Sequence, residues 1–173
     1  MEIEVARSAG FCPGVRRAVD LAYRTLEEGD GTLWLYGALV HNEQVIGDLL
    51  ERGARLADSV EEIPEGSSVL IRAHGISPAV EQALLAKGAT ILDGTCPFVK
   101  KIQTLVAKAS AQGKGVIMTG AADHPEVIGV TGYMEQGSPV LIETLEEARQ
   151  LDFDDREWIL VSQTTFSDER WKQ

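Results

Sequence analysis

The chain has 173 residues, of which 44% are hydrophobic and 25% are charged, as is ordinary for a globular protein with a real core. Its net charge of −11 argues against non-specific binding to nucleic acid, because attraction to phosphates needs a basic surface. No apolar run approaches the roughly 20 residues that cross a membrane, and the first residues lack the basic start and apolar stretch of a signal peptide. We therefore expect a cytoplasmic protein that binds neither nucleic acid nor membrane.

Short apolar strands and amphipathic helices are predicted to alternate along the chain. The first helix illustrates the signals, since Pro13 suits a first helical turn and Gly29 marks its end. The predicted strands lie at 3–7, 33–36, 69–72, 89–92, 116–119, 140–142 and 158–162. The predicted helices lie at 13–28, 42–52, 77–87 and 97–111, with two more that begin after Pro125 and at Ser167. This alternation is typical of α/β units with parallel sheets.

The sequence also contains an internal repeat. GFCPGVRR at 10–17 recurs as GTCPFVKK at 94–101, and the only two cysteines, Cys12 and Cys96, occupy matching positions. A repeat of this length indicates duplicated α/β units rather than a short solenoid period. We therefore predict a first α/β lobe at 1–96, with a leading strand, and a second lobe at 97–173.

Two further pairs of segments follow the same repeat. His41 and His124 occupy matching places in the segments after two predicted strands, and a weaker match pairs His74 with Thr164. The carboxyl ends of parallel strands are where α/β proteins place their sites. The matched positions predict that corresponding ends of both units meet at one central site.

The second copy is shorter than the first. The segment 167–173 resembles the first turns of a helix, whereas the first copy continues from Ser77 through a helix and a strand to Cys96. We therefore expect a third unit with a third cysteine to be absent here, and this chain to be the N-terminal part of a three-unit protein. The alternative is a natural protein of two units.

Each cysteine is predicted to follow a strand end and to precede a helix. The free N–H groups and the dipole of a helix N-terminus stabilise a thiolate. A lone cysteine is more often an inert, buried residue, but the matched positions of Cys12 and Cys96 favour a functional role. Two thiolates can ligate zinc or an iron–sulfur cluster.

The three histidines, His41, His74 and His124, all lie in segments that follow predicted strands. Imidazoles donate hydrogen bonds to phosphate oxygens, and free helix N–H groups nearby would help them to hold a small anion such as a diphosphate. Glu126 is either a helix-start acid or a proton donor beside that anion. Thr164 is either a strand-end cap or a hydroxyl that contributes to the site.

Six motifs along the chain resemble one family, the 4-hydroxy-3-methylbut-2-enyl diphosphate reductases, which are iron–sulfur enzymes of the methylerythritol phosphate route to isoprenoids. The motifs are Gly10-Phe11-Cys12 with Gly14-Val15 and Arg17-Ala18-Val19; Val40-His41-Asn42 with Val45; Arg72-Ala73-His74-Gly75; Asp93-Gly94-Thr95-Cys96-Pro97; His124-Pro125-Glu126-Val127; and Gln163-Thr164-Thr165 with Ser167. They follow in order over nearly the whole chain.

The resemblance implies a trefoil-like α/β fold of three lobes around a [4Fe–4S] cluster whose fourth iron is open to substrate. It implies that Cys12 and Cys96 are cluster ligands. It also implies that His41, His74 and His124 hold the substrate diphosphate or hydroxyl. Glu126 would deliver a proton and Thr164 would position the hydroxyl. A reduced ferredoxin or flavodoxin would supply electrons, and isopentenyl and dimethylallyl diphosphates would be the products.

The chain departs from the family pattern in one respect. The third cysteine ligand and the later serine and asparagine contacts of the family are missing, and the resemblance implies that the strand at 3–7 pairs within the missing third lobe. We therefore expect the longer parent protein to be the enzyme and this chain to be inactive by itself. A non-catalytic module that binds a small phosphorylated ligand or zinc is the alternative.

Overall fold

The computed structural model describes residues 3–7, 9–29 and 32–173. Strands and helices alternate as the sequence predicts, and most helices begin at proline or directly after a polar capping residue. In chain order the elements are α1 (Pro13–Glu28), β1 (Leu33–Tyr36), α2 (Glu43–Glu51), β2 (Ala54–Ala57), β3 (Ser68–Ile71), α3 (Pro78–Ala86), β4 (Thr90–Asp93), α4 (Pro97–Ala111), β5 (Gly115–Thr119), α5 (Pro125–Thr131), β6 (Val140–Ile142), α6 (Leu145–Arg149), β7 (Trp158–Ser162) and α7 (Asp168–Trp171).

The strands form two parallel sheets, which confirms the predicted α/β class. The first sheet has the order β2-β1-β3-β4, and the second has the order β6-β5-β7. Strand β1 lies between β2 and β3, and β5 lies between β6 and β7. Strands β5, β6 and β7 therefore correspond to β1, β2 and β3. Within the described residues, no strand of the second sheet takes the place that β4 holds in the first. The proposed lobe boundary near Cys96 falls between the two sheets and stays a prediction.

Three predictions about the elements need correction. Residues 3–7 form no strand, and Ile3 and Val5 are each 74% exposed because no neighbouring strand pairs with them. The sequence analysis missed β2, which has no run of β-branched or aromatic residues to mark it. It also missed α6, which has only five residues but carries a capping box between Thr144 and Glu147.

Successive residues of the first sheet face two different cores, because side chains alternate along a strand. On one face α1 packs on the sheet; the buried residues there include Ala18, Ala22, Leu33, Leu35 and Leu70. On the other face α3 packs on the sheet; the buried residues there include Val69, Ile71 and Leu84. Two covered faces explain why the central strands β1 and β3 are almost continuously apolar.

The second sheet has its own core, and one cysteine links it to the first. Its buried residues are Val99, Val106, Ala109, Val116, Met118, Val127, Val130 and Val161. Cys96 packs against both this core and the core beneath α1. No helix within the described ranges is long and apolar enough to span a membrane.

Candidate functional site

The two cysteines occupy the same position in the two halves of the chain. Cys12 is the N-cap of α1 and Cys96 is the N-cap of α4, and Pro13 and Pro97 follow them in the first turns. Neither cysteine side chain caps its helix by a hydrogen bond. Both sulfurs are therefore left for another partner, at helix ends where the dipole favours negative charge.

A close contact brings the two cysteine turns together. A Cβ atom placed on Gly14 would lie 2.7 Å from Sγ of Cys96, a distance that carbon and sulfur do not tolerate. Gly14 lies two residues after Cys12, so the first turn of α1 presses directly on the second thiol. The glycine in the first copy of the repeat is thus explained by packing, since Phe98 takes the matching place in the second copy.

The turn that carries His74 lies between the two halves of the chain. The backbone N–H of Cys96 donates to the carbonyl of Ala73 over 2.9 Å, which ties the cysteine turn to the residue before His74. A Cβ placed on Gly129 in α5 would lie 3.5 Å from the carbonyl carbon of Gly75. The second half therefore approaches this turn closely, and it places His124 beside His74.

The three histidines form a row with His74 in the middle. The ring centres of His41 and His74 are 6.3 Å apart, and those of His74 and His124 are 5.1 Å apart with the rings nearly perpendicular. Burial, and then the charges of Arg72, His124 and His41, lower the pKa of His74 from its ordinary value near 6.5 to about 4. His74 is therefore neutral at pH 7, and its buried Nδ1 has no partner.

The hydrogen bond that His124 makes settles which nitrogen of its neutral ring carries hydrogen. Nδ1 of His124 accepts from the backbone N–H of Glu126 over 3.1 Å, as the N-cap of α5. In the neutral ring the hydrogen is therefore on Nε2, which is available to donate. A phosphate oxygen is a suitable acceptor for such a group.

Glu126 and Thr164 form a hydrogen-bonded pair next to this row, in which Glu126 is buried and Thr164 is exposed. Glu126 is 1% exposed, and its carboxylate accepts from both the backbone N–H and the hydroxyl of Thr164, each over 2.6 Å. The two residues come from α5 and from the turn after β7. The structure thus brings together the two residues that the repeat and the motifs single out beside His124. Their roles in catalysis stay predictions.

The site fits part of the ligand set of an iron–sulfur cluster. Two thiols on neighbouring turns, neither engaged in capping, suit two thiolate ligands. Among the residues that the structure describes, no group of three His, Cys, Asp or Glu side chains is placed to hold a metal ion. The described residues therefore offer two free thiols and no complete set of metal ligands.

Sequence reasoning assigned no role to two arginines at this site. Arg17 of α1 donates to the carbonyls of Asp93 and Thr95, on the turn before Cys96. The Arg72 guanidinium lies against Gly37, which has a φ of 72°, and its Nε is buried without a partner. Both arginines lie within the quoted motifs, so the sequence marked their positions. Their contacts become clear only from the fold.

Comparison with known families decides where the chain belongs. The model of the family described as LytB protein matches residues 3–173. The chain belongs to the LytB family. This membership confirms the family resemblance that the six motifs indicate.

Relatives of this LytB chain carry a consistent name. A protein of Caldanaerobacter subterraneus subsp. tengcongensis named 4-hydroxy-3-methylbut-2-enyl diphosphate reductase is 41% identical over 99% of this chain and 60% of its own length. A protein of Clostridioides difficile with the same name is 38% identical over 98% of this chain and 61% of its own length. The LytB chain described here thus spans about three fifths of the length of these relatives.

Solved structures agree with the fold of this LytB chain. The (E)-1-hydroxy-2-methyl-but-2-enyl 4-diphosphate reductase of Plasmodium falciparum superimposes with a TM-score of 0.90 at 28% identity, over 96% of this chain and 52% of the other. A structure of (E)-4-hydroxy-3-methyl-but-2-enyl diphosphate reductase, described as the terminal enzyme of the non-mevalonate pathway, gives a TM-score of 0.82 at 39% identity. It covers 98% of this chain and 60% of the other.

Proposed function

We propose that this chain is the N-terminal part of a 4-hydroxy-3-methylbut-2-enyl diphosphate reductase with three lobes. The whole protein would remove the substrate hydroxyl reductively and form isopentenyl and dimethylallyl diphosphates. The observation that carries the proposal is the hydrogen-bonded pair of buried Glu126 and exposed Thr164 beside the row of three histidines. Family membership and the names of the relatives support the same reaction.

In this proposal the histidine row binds the diphosphate. Nε2 of His124 is free to donate, and His74 is held neutral in a half-buried position between its two neighbours. An arriving anion favours protonation of His74, because it offsets both the burial and the neighbouring positive charge. His74 therefore gains positive charge when the anion enters, which strengthens its hold on the anion.

Glu126 and Thr164 would handle the proton. Thr164 lies within hydrogen-bond reach of Glu126, so a proton on the carboxyl group can pass to a substrate hydroxyl held at the threonine. The substrate hydroxyl then leaves as water. Glu126 itself is buried, whereas Thr164 at the other end of this path is exposed.

Cys12 and Cys96 would hold two irons of a [4Fe–4S] cluster, and further ligands would come from the third lobe. When bound, such a cluster supplies Lewis acidity and a path for electrons. We propose a reduced ferredoxin or flavodoxin as the source of the electrons. The role of the protein is to place both thiols beside the turn that carries His74.

Calorimetric titration of this chain with inorganic diphosphate and with the hydroxybutenyl diphosphate tests the histidine row. We expect His41→Ala, His74→Ala and His124→Ala each to weaken binding by about tenfold or more, as for the loss of a hydrogen bond to a charged group. Lys114→Ala is the matched control, because it removes a surface cation that pairs with Glu157 away from the site.

Two outcomes would count against the proposal. Equal loss of binding in Lys114→Ala would show general attraction of an anion to cations rather than a site. Absence of diphosphate binding in the wild type would reject the histidine row as the anion site. Binding of the diphosphate by a protein of the full length of the relatives that never acquires iron or sulfide would favour the alternative of a non-catalytic phosphate-binding module.

A further inference from the structure

The side chain of Arg17 joins the helix of one cysteine to the turn of the other. Arg17 lies five residues after Cys12 in α1. Its Nη1 donates to the carbonyl oxygen of Thr95 over 3.0 Å, and its Nη2 donates to the carbonyl oxygen of Asp93 over 3.3 Å. Both acceptors lie in the three residues before Cys96, so one guanidinium connects two turns that are about 80 residues apart in sequence.

The turn before Cys96 is held on its other sides as well. The backbone N–H of Thr95 donates to Oδ1 of Asp93 over 2.9 Å, and Lys100 forms an ion pair with the same carboxylate. The N–H of Cys96 donates to the carbonyl of Ala73. From the helix that Cys12 caps, the turn is reached by the Arg17 side chain, by the backbone at Gly14 and by Ala18, whose Cβ would lie 3.2 Å from a Cβ placed on Gly94.

Arg17 and Gly14 act on Cys96 in opposite directions. The arginine draws the turn before Cys96 towards α1, whereas the backbone at Gly14 stops the Cys96 sulfur at contact distance. The hydrogen bonds of Arg17 and the steric contact at Gly14 together fix the position of Cys96 relative to α1. Arginine suits this role because its planar guanidinium can donate to two carbonyl oxygens at once, whereas lysine presents a single charged nitrogen.

We propose that Arg17 is a positioning residue that fixes the separation of the Cys12 and Cys96 sulfurs before any metal binds. The relevance of this separation to an iron–sulfur cluster rests on the proposed function. The positioning itself concerns the metal-free chain. It can therefore be measured without iron, sulfide or substrate.

Dibromobimane, which becomes fluorescent only when it bridges two nearby thiols, is a suitable probe of the reduced, metal-free chain. We expect clear bridging in the wild type and none in Cys12→Ser. Arg17→Ala removes two hydrogen bonds and should lower the bridged fraction by about fivefold or more, since the loss of one hydrogen bond alone corresponds to about fivefold. Arg17→Lys should restore part of the bridging, because it keeps the charge and one donor.

Arg24→Ala is the matched control, since Arg24 is an exposed arginine of the same helix. Total thiol labelling by a reagent that reacts once, circular dichroism and the thermal midpoint show whether each variant is folded. The proposal is overturned if the wild type does not bridge, or if folded Arg17→Ala bridges as well as Arg24→Ala. If Arg17→Ala does not fold, wild-type bridging in Arg17→Lys overturns it.

The same assay separates this proposal from the proposed function. A fall in bridging for Arg17→Ala, together with a protein of the full length of the relatives that binds neither iron nor diphosphate, would support the positioning role and reject the proposed function. Unchanged bridging for Arg17→Ala, together with a full-length protein that binds both, would reject the positioning role and support the proposed function.

Discussion

Glu126 accepts two hydrogen bonds from Thr164, one from its backbone N–H and one from its hydroxyl, and both measure 2.6 Å. Glu126 is almost fully buried whereas Thr164 is exposed, so the two Thr164 donors are the partners that the structure gives this buried carboxylate. One contact therefore fixes the turn after β7 to the start of α5. The same contact joins the residues that the proposed function uses for proton transfer.

Replacing the carboxylate by an amide should destabilise the fold. In Glu126→Gln the amide oxygen can accept from the Thr164 N–H and the NH₂ group can donate to the Thr164 hydroxyl, so two charge-assisted hydrogen bonds become neutral ones. We expect the free energy of unfolding to fall by about 1–2 kcal/mol. Denaturant unfolding of the 173-residue chain measures this. A double-mutant cycle with Thr164→Val should show coupling between the two sites. Strict additivity would contradict the contact.

In a protein of the full length of its relatives, the same substitution should separate binding from turnover. An amide cannot donate a proton as an acid does, and a positioned general acid contributes about 10²–10⁴-fold to rate. We expect Glu126→Gln to bind the substrate normally and to lose most of kcat. Thr164→Ser, which keeps the hydroxyl, is the matched control and should retain more activity than Thr164→Val. Near wild-type kcat in Glu126→Gln would reject the proton-delivery role.

Much of this fold and of the residue types at its site could be predicted from the sequence. The Cys-Pro repeat predicted both helix starts, because proline at the first turn and a preceding strand end have local causes. The contacts between the halves could not be predicted in this way. The link from Arg17 to Thr95 joins residues 78 positions apart, and it depends on the packing of α1 against the first sheet. Strand β2 was missed because it is specified by pairing with β1 rather than by its own residues.

Gly14→Ala tests the packing of the two cysteine turns. The added methyl group would lie 2.7 Å from Sγ of Cys96, so the turn must move, and we expect a loss of about 1–3 kcal/mol in the free energy of unfolding. Gly47→Ala is the matched control within helix α2, because a Cβ there meets no atom within 4 Å. It should instead stabilise the chain by about 0.5–1 kcal/mol through helix propensity. Equal effects of the two substitutions would contradict the contact.

The lowered pKa of His74 predicts how stability depends on pH. In the unfolded chain this imidazole takes up a proton near pH 6.5, whereas in the fold, where burial and then Arg72, His124 and His41 oppose its charge, it does so near pH 4. Between these values the unfolded state binds more protons, so the His74 contribution lowers the free energy of unfolding as pH falls from about 6.5 to 4. Below pH 4 it causes no further loss.

Comparing the wild type with a variant that lacks His74 separates the contribution of His74 from that of the carboxylates that titrate in the same pH range. We expect the difference in unfolding free energy between the wild type and His74→Asn to change across the window from pH 7 to 4.5, and to change little between pH 7 and 8. His41 and His124 are present in both proteins, so their own titration largely cancels. A difference that does not vary with pH would show that His74 is not held neutral by the fold.

The ligand count at the cysteines predicts how this chain behaves towards iron. Because the described residues supply two thiols and no group of three metal-binding side chains, anaerobic reconstitution should give clearly less than one stable four-iron cluster per chain. Iron and acid-labile sulfide, measured before and after gel filtration, test this. Cys12→Ser and Cys96→Ser should each remove most of the iron and sulfide that bind.

A stable four-iron cluster in the wild type would contradict the prediction and would require further ligands from a second chain or a small thiol. Tight zinc binding without sulfide would instead favour the zinc alternative.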